Sequence, residues 1–325
     1  MRRREFITLL GGAAAVCCPT TRAQTQTKLP TIGILGASTE VGWSRWVAAF
    51  AQRLKELGWT EGRNVAIEYR WAEGRNERYA EIAAELVRLN VDVIVTVGTA
   101  VAAAKQATST IPIVFAVAND PIGGGLVTAL ARPGGNVTGL SGMATELAGK
   151  QVEILREVIP GLRNLGILTN AEYKSAILQR DEVTAAARSL SLEVIAADIR
   201  QAQDIVPAFE TLKGRADALY ICSDALVNTN RIRINILAAG ARLPTISSVR
   251  EYVEAGGLIS YGSNFAEFWR RAAEYVDKIL RGTKPGDIPV EQPTRFDFVI
   301  NLTTAKAIGI ELPATLLARA DEVIE

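Results

Sequence analysis

Short apolar runs of strand length alternate along this chain with amphipathic stretches of helical spacing, and the alternation starts near Thr31. Residues 31–35, 91–97 and 111–117 are nearly continuous apolar runs, the pattern of parallel strands covered on both faces. Between the first two, Trp46, Phe50, Leu54 and Leu57 share one face of a helix predicted over 41–57, with Gly58 as its stop. Val65, Ile67, Tyr69 and Trp71 alternate with Ala66, Glu68 and Arg70, which predicts a strand with one more polar face, near a sheet edge. Tyr79, Ile82, Leu86 and Leu89 return to helical spacing, and Gly98-Thr99-Ala100 opens another helix. After 111–117 come a polar loop at Asn119-Asp120-Pro121, a short helix, and a turn at Pro133-Gly134-Gly135-Asn136. That turn feeds 137–141, predicted as the first crossing into a second lobe.

The same alternation then begins again. Strands are predicted at 165–168, 192–196, 216–222, 244–249 and 258–261, with helices through Leu190 and Ala239 among the connections. A further helix carries Phe265, Phe268, Trp269, Tyr275, Val276 and Ile279 and stops at Gly282; a turn-rich connector, a strand at 296–300 and a helix at 303–308 close the pattern. Two series of strand-helix units predict an α/β fold of two doubly wound, Rossmann-like lobes. The tail most economically packs across both, so several crossovers form a hinge. The N-terminal lobe is expected over 30–140 plus 262–286 and the C-terminal lobe over 141–261 plus 287–325.

Composition narrows the chemistry. The chain has no histidine, which removes the commonest general base, the commonest metal ligand and every Ser-His or Cys-His nucleophile pair. No metal or cofactor is expected, and the G-x-G-x-x-G spacing of a dinucleotide fingerprint is absent after the first strand. Arg2-Arg3-Arg4, an apolar segment over 6–16 and a small-residue site at Ala23 predict an export signal over 1–23, read either as a twin-arginine or as an ordinary secretory signal. Val16 and Cys17 are poor residues to precede a lipidated cysteine. Removing that segment takes the formal charge from +1 to about −2, which gives no electrostatic argument for nucleic acid. It also leaves Cys222 as the single cysteine, in an apolar run where a small buried hydrophobe is expected.

In doubly wound sheets, ligands bind at the carboxyl ends of the strands where the strand order reverses. That rule selects Ser38, Thr39, Gly98 and Thr99 from the first lobe and Asn170, Tyr173, Ser223 and Asp224 from the second. Asn119, Asp120 and the crossing residues Ser141, Tyr261 and Asn264 lie alongside, and Trp43, off the main apolar helix face, is placed to stack on a ring. Each has a plainer reading. Asp120 before Pro121 also initiates a turn, and Asp224 also caps the following helix as well as suiting a ligand ammonium. Thr99 either caps its helix or helps hold a ligand carboxylate. Hydroxyls, amides, two carboxylates and aromatic rings suit recognition of a small molecule better than catalysis.

IPIVFAVANDPIGGGLV followed by PGGNVTGLS, then GLISYGSN, KILRGTKPGDIPVEQPT and INLTTAKAIGIELP, together resemble the ABC-transporter substrate-binding proteins related to tryptophan- and tyrosine-binding proteins. The resemblance covers the chain beyond its export segment. It implies a type I periplasmic binding protein, no enzyme, acting as a monomer that closes on an amino acid or aromatic acid and delivers it to an inner-membrane ABC permease. It also implies ligand contacts from the loops at Ser38-Thr39, Gly98-Thr99, Asp120, Ser223-Asp224 and Asn264. Here Asp224 is followed by Ala225 rather than asparagine, and Asn264 stands where an acidic residue is common, so an aromatic carboxylate without an amine competes with an amino acid. A periplasmic sensor feeding a signalling receptor and an exported α/β enzyme are the alternatives.

Overall fold

The computed structural model describes residues 28–325, and the expected export segment lies outside them. The first lobe begins β1 (Thr31–Gly36), α1 (Glu40–Glu56), β2 (Ala66–Trp71), α2 (Arg78–Arg88), β3 (Val93–Val97), α3 (Ala100–Ala107), β4 (Ile113–Ala118) and β5 (Val137–Ser141). The second runs α4 (Ala148–Val158), β6 (Asn164–Asn170), α5 (Lys174–Ser189), β7 (Glu193–Ile199), α6 (Ile205–Leu212), β8 (Ala218–Ile221), α7 (Ala225–Thr229) and α8 (Arg231–Gly240). It continues through β9 (Thr245–Ser247), α9 (Arg250–Glu254) and β10 (Ile259–Gly262). Then come α10 (Phe265–Leu280), β11 (Asp297–Asn301), α11 (Leu302–Ile308), α12 (Ala314–Leu317) and β12 (Glu322–Ile324).

The first sheet has the order β2-β1-β3-β4-β5, with every pairing parallel. β1, β3 and β4 are buried throughout, whereas β2 is half-buried at the edge, which is why its sequence alternates. The second sheet has the order β12-β11-β10-β9-β8-β6-β7, parallel except where β11 runs against β10. Both sheets therefore reverse strand order beside their first strand, between β1 and β3 and between β6 and β8. The chain is an α/β protein of two parallel-sheet lobes.

Two predicted elements differ. Residues 137–141 do not cross but add β5 to the first sheet, in register with β4 from Ile113 opposite Val137. The short helix after Pro121 is a run of turns instead. Three successive glycines oppose a helix there by about 1 kcal/mol each, and Gly125 sits at φ +75°, outside helical space.

After β10 the chain returns to the first lobe, where the apolar face of α10, including Phe268, Trp269, Ala272 and Val276, packs on α1 and β4. The segment after α10 then crosses once more to β11. The three crossings run side by side: Ser141 donates its N–H to the Glu291 carbonyl at 2.8 Å, and Ser263 Oγ donates to the Gly142 carbonyl at 3.2 Å.

Candidate ligand-binding cleft

The carboxyl ends of β1 and β3 face those of β6 and β8 across a cleft that encloses a cavity of about 40 Å³. One wall is aromatic. Trp43 and Trp46, three residues apart on α1, and Phe265 at the start of α10 line it. Behind them Trp43 meets Trp71 edge-on at 5.8 Å and Trp269 at 5.2 Å, so the wall is a packed cluster rather than loose rings. Gly36 is required for it, because a Cβ there would lie 2.0 Å from the Trp71 ring.

The opposite wall is polar. Asn119, Tyr173, Ser223, Asp224 and Asn228 line it. Asp224 is buried and already engaged: Asn170 Nδ2 donates to one oxygen and the Val227 N–H to the other at 2.8 Å, which caps α7. Burial pushes its carboxyl above the ordinary range, and these donors pull it back. Among the described residues, two groups of this wall have no partner, the Tyr173 hydroxyl and Asn228 Oδ1, and Thr99 Oγ1 beside the cavity is unpaired as well. Burial drives the Tyr173 phenol up to about 12, with Ser175 and Asn119 beside it pulling it back, and raises Tyr79 further against Thr99 beside it; the charge of Asp224 adds to the rise of both. Buried polar groups left unpaired cost about 1–3 kcal/mol each, so such a cluster is a demand for a ligand.

Of the residues expected at the site, Trp43, Gly98, Asn119, Tyr173, Ser223 and Asp224 line the cavity. Asn170 stands behind Asp224, and Thr99 lines an adjoining chamber that shares Gly98 and Tyr173 with it. Ser38 is buried at the cleft, accepting from Thr229 Oγ1 of the other lobe at 3.0 Å.

Five others are not brought there. Thr39 is an exposed cap of α1, accepting from the Gly42 N–H at 3.1 Å. Asp120 accepts from the Gly123 N–H at 2.7 Å and initiates a turn. Ser141 is buried within β5, and Tyr261 packs between Phe296 and Phe298. Asn264 caps α10 and donates to Asp297 Oδ2 at 2.9 Å. Ser141, Tyr261 and Asn264 lie on β5 and β10, strands removed from the two reversal points, whereas Asp120 follows the same β4 end as Asn119 and is turned into its own loop.

Asn228 and Phe265 were missed, and Trp46 was read as core. Asn228 had a visible signal, the first amide after the apolar run 225–227 that follows Asp224.

The lobes touch across this cleft. Asn119 Nδ2 donates to the Ser223 carbonyl at 2.7 Å, Trp46 Nε1 to Glu251 Oε1 at 2.7 Å, and Arg45 pairs with Glu254 at 3.0 Å. No helix among the described residues is long and apolar enough to cross a membrane.

Residues 41–324 match the family described as ABC transporter substrate binding protein. The chain belongs to that family. This substrate-binding protein is 28% identical over 263 residues to the "Tyrosine-binding protein" of Clostridioides difficile (strain R20291), covering 81% of this chain and 76% of that one. It is also similar to a solved ABC domain in complex with L-Trp from Streptococcus pneumonia, at 26% identity and TM-score 0.83 over 90% of this chain and all of that one. A ligand-free, open substrate binding protein with adhesive properties from Clostridium difficile, also 26% identical and covering 91% of this chain and 99% of that one, overlaps with a TM-score of only 0.64. In this substrate-binding protein the lobes are in contact across the cleft through the Asn119–Ser223, Trp46–Glu251 and Arg45–Glu254 bonds. Family and relatives make it a solute-binding protein, not an enzyme.

Proposed function

We propose that this protein is the periplasmic solute-binding component of an ABC importer, exported by residues 1–23 and delivering its ligand, as a monomer, to an inner-membrane permease. Its ligand is an aromatic or apolar amino acid or an aromatic carboxylate. The observation that carries this reading is the cavity between the lobes with Trp43, Trp46 and Phe265 on one side and the unpaired Tyr173 hydroxyl and Asn228 Oδ1 on the other. The rings suit a flat apolar group. The Tyr173 hydroxyl, and Thr99 Oγ1 in the adjoining chamber, are donors for a carboxylate; among the described residues no lysine or arginine lines the cavity. An amine, where the ligand has one, falls to Asn228 Oδ1 and to Asp224, whose two oxygens each accept one bond and keep further acceptor sites.

Binding then works by closure: a ligand touching both lobes favours the closed state by its differential affinity for it. The tyrosine-binding relative and the L-Trp complex support an aromatic ligand. The test is a thermal-shift and calorimetric screen of the mature protein against L-tryptophan, L-tyrosine, L-leucine, indole-3-acetate and benzoate. A true ligand at a hundredfold excess over its Kd stabilises the fold by about 2.7 kcal/mol. Silence from all five, with protein refolded free of carried-over ligand, overturns the proposed ligand class.

A further inference from the structure

A second compartment of about 190 Å³ adjoins the central cavity, with Gly98 and Tyr173 as the shared partition. It lies between the lobes, with Thr99 and Leu126 on one side and Lys174 and Ser175 on the other. Two helices begin at it from opposite lobes. α3 starts after Thr99 and α5 after Tyr173, and neither N-cap residue makes a side-chain capping bond. The first-turn N–H groups of both helices carry partial positive charge, and in α3 those of Val101 and Ala102 turn back only at long range, to the Gly98 and Thr99 carbonyls at 3.3 Å each. The Tyr173 hydroxyl is independent of this. Its residue is only 8% exposed, the hydroxyl has no partner, and it lies 3.9 Å from where a Cβ on Gly98 would stand, at the entrance to α3. Thr99 Oγ1 on the same wall is unpaired as well. Lys174 is exposed and forms no ion pair among the described residues, whereas Glu172 on the same rim is held by Arg200 at 3.2 Å.

The geometry points to a side chamber that takes an anionic arm of the ligand, reaching past Tyr173 to the α5 end with Lys174 at its mouth. This rests on the aromatic-ligand reading of the central cavity and narrows it. The preferred ligand has a flat apolar head against Trp43 and Trp46 and a carboxylate carried on a flexible arm, longer than that of a free α-amino acid.

The test is calorimetric titration with indole-3-acetate, indole-3-propionate and indole-3-butyrate, each beside its neutral amide and all beside L-tryptophan. Acids are expected to bind about tenfold tighter than their amides, as for a hydrogen-bonded charge. The preference should grow with arm length. Lys174→Gln should cut it by about threefold, the share of an exposed charge, with the melting temperature unmoved. Equal binding of acids and amides, or a preference that Lys174→Gln leaves intact, overturns the chamber. Binding of L-tryptophan alone overturns it too, while leaving the aromatic reading in place. No binding of any of the seven removes both.

Discussion

Glu251 receives the Trp46 indole N–H on one carboxylate oxygen, while the other, Oε2, is sealed without a partner. Burial is the largest influence and pushes this carboxyl up; the Trp46 bond and Arg45 lower it, and Glu254 raises it. When the lobes part, the carboxylate regains water and an ordinary pKa of about 4.3. The closed form therefore holds the proton more tightly. Its advantage is fully present below the ordinary value and is lost as pH rises through the raised one. Ligand affinity is expected to weaken across that rise, and Glu251→Gln, which keeps an acceptor for Trp46, should flatten part of the profile. Asp224, also raised by burial, keeps a residual slope in the same direction. Kd measured from pH 4 to 8 for both proteins checks this, and parallel profiles would assign the effect elsewhere. At this scale the sequence was only partly legible. Asn119, Ser223 and Asp224 show themselves because polar residues directly end buried strands. Phe265 does not, because an aromatic residue on an apolar helix face looks the same whether it fills a core or walls a cavity.

β1 ends on Gly36 directly beneath the ring of Trp71, whose edge contact holds Trp43 in the cavity wall. Gly36→Ala overpacks this junction of strand and aromatic cluster. We expect it to cost about 1–3 kcal/mol in chemical denaturation and to weaken aromatic ligands more than aliphatic ones. A stability loss with the ligand preference unchanged would show that Trp43 keeps its place without Trp71. Most strands were legible, since buried parallel strands are unbroken apolar runs and the half-buried β2 alternates. The segment between Pro121 and the Pro133 turn was misread because an apolar, glycine-rich stretch after proline resembles a short helix until Gly125 takes a positive φ. β12 escaped notice because three residues are too few to show a period.

Crossings between the lobes were inferred from an excess of elements after the second series, which gives their existence but not that Ser141, Ser263 and Glu291 lock them side by side. Closure of the whole molecule depends on what bridges the cleft. The Arg45–Glu254 pair is exposed enough on both partners, 60% and 34%, to contribute about 1 kcal/mol or less. Trp46 differs, because its ring walls the cavity while its N–H reaches the other lobe. One side chain thus couples an occupied cavity to lobe contact, and it biases the equilibrium only in the closed state. Trp46→Phe keeps an aromatic wall and removes that bond. We expect about tenfold weaker binding, carried by faster dissociation with little change in association. Small-angle scattering at subsaturating ligand should then find a larger mean radius of gyration than for the parent at the same concentration. If dissociation is unchanged and only association slows, Trp46 guides entry of the ligand instead of holding the lobes shut.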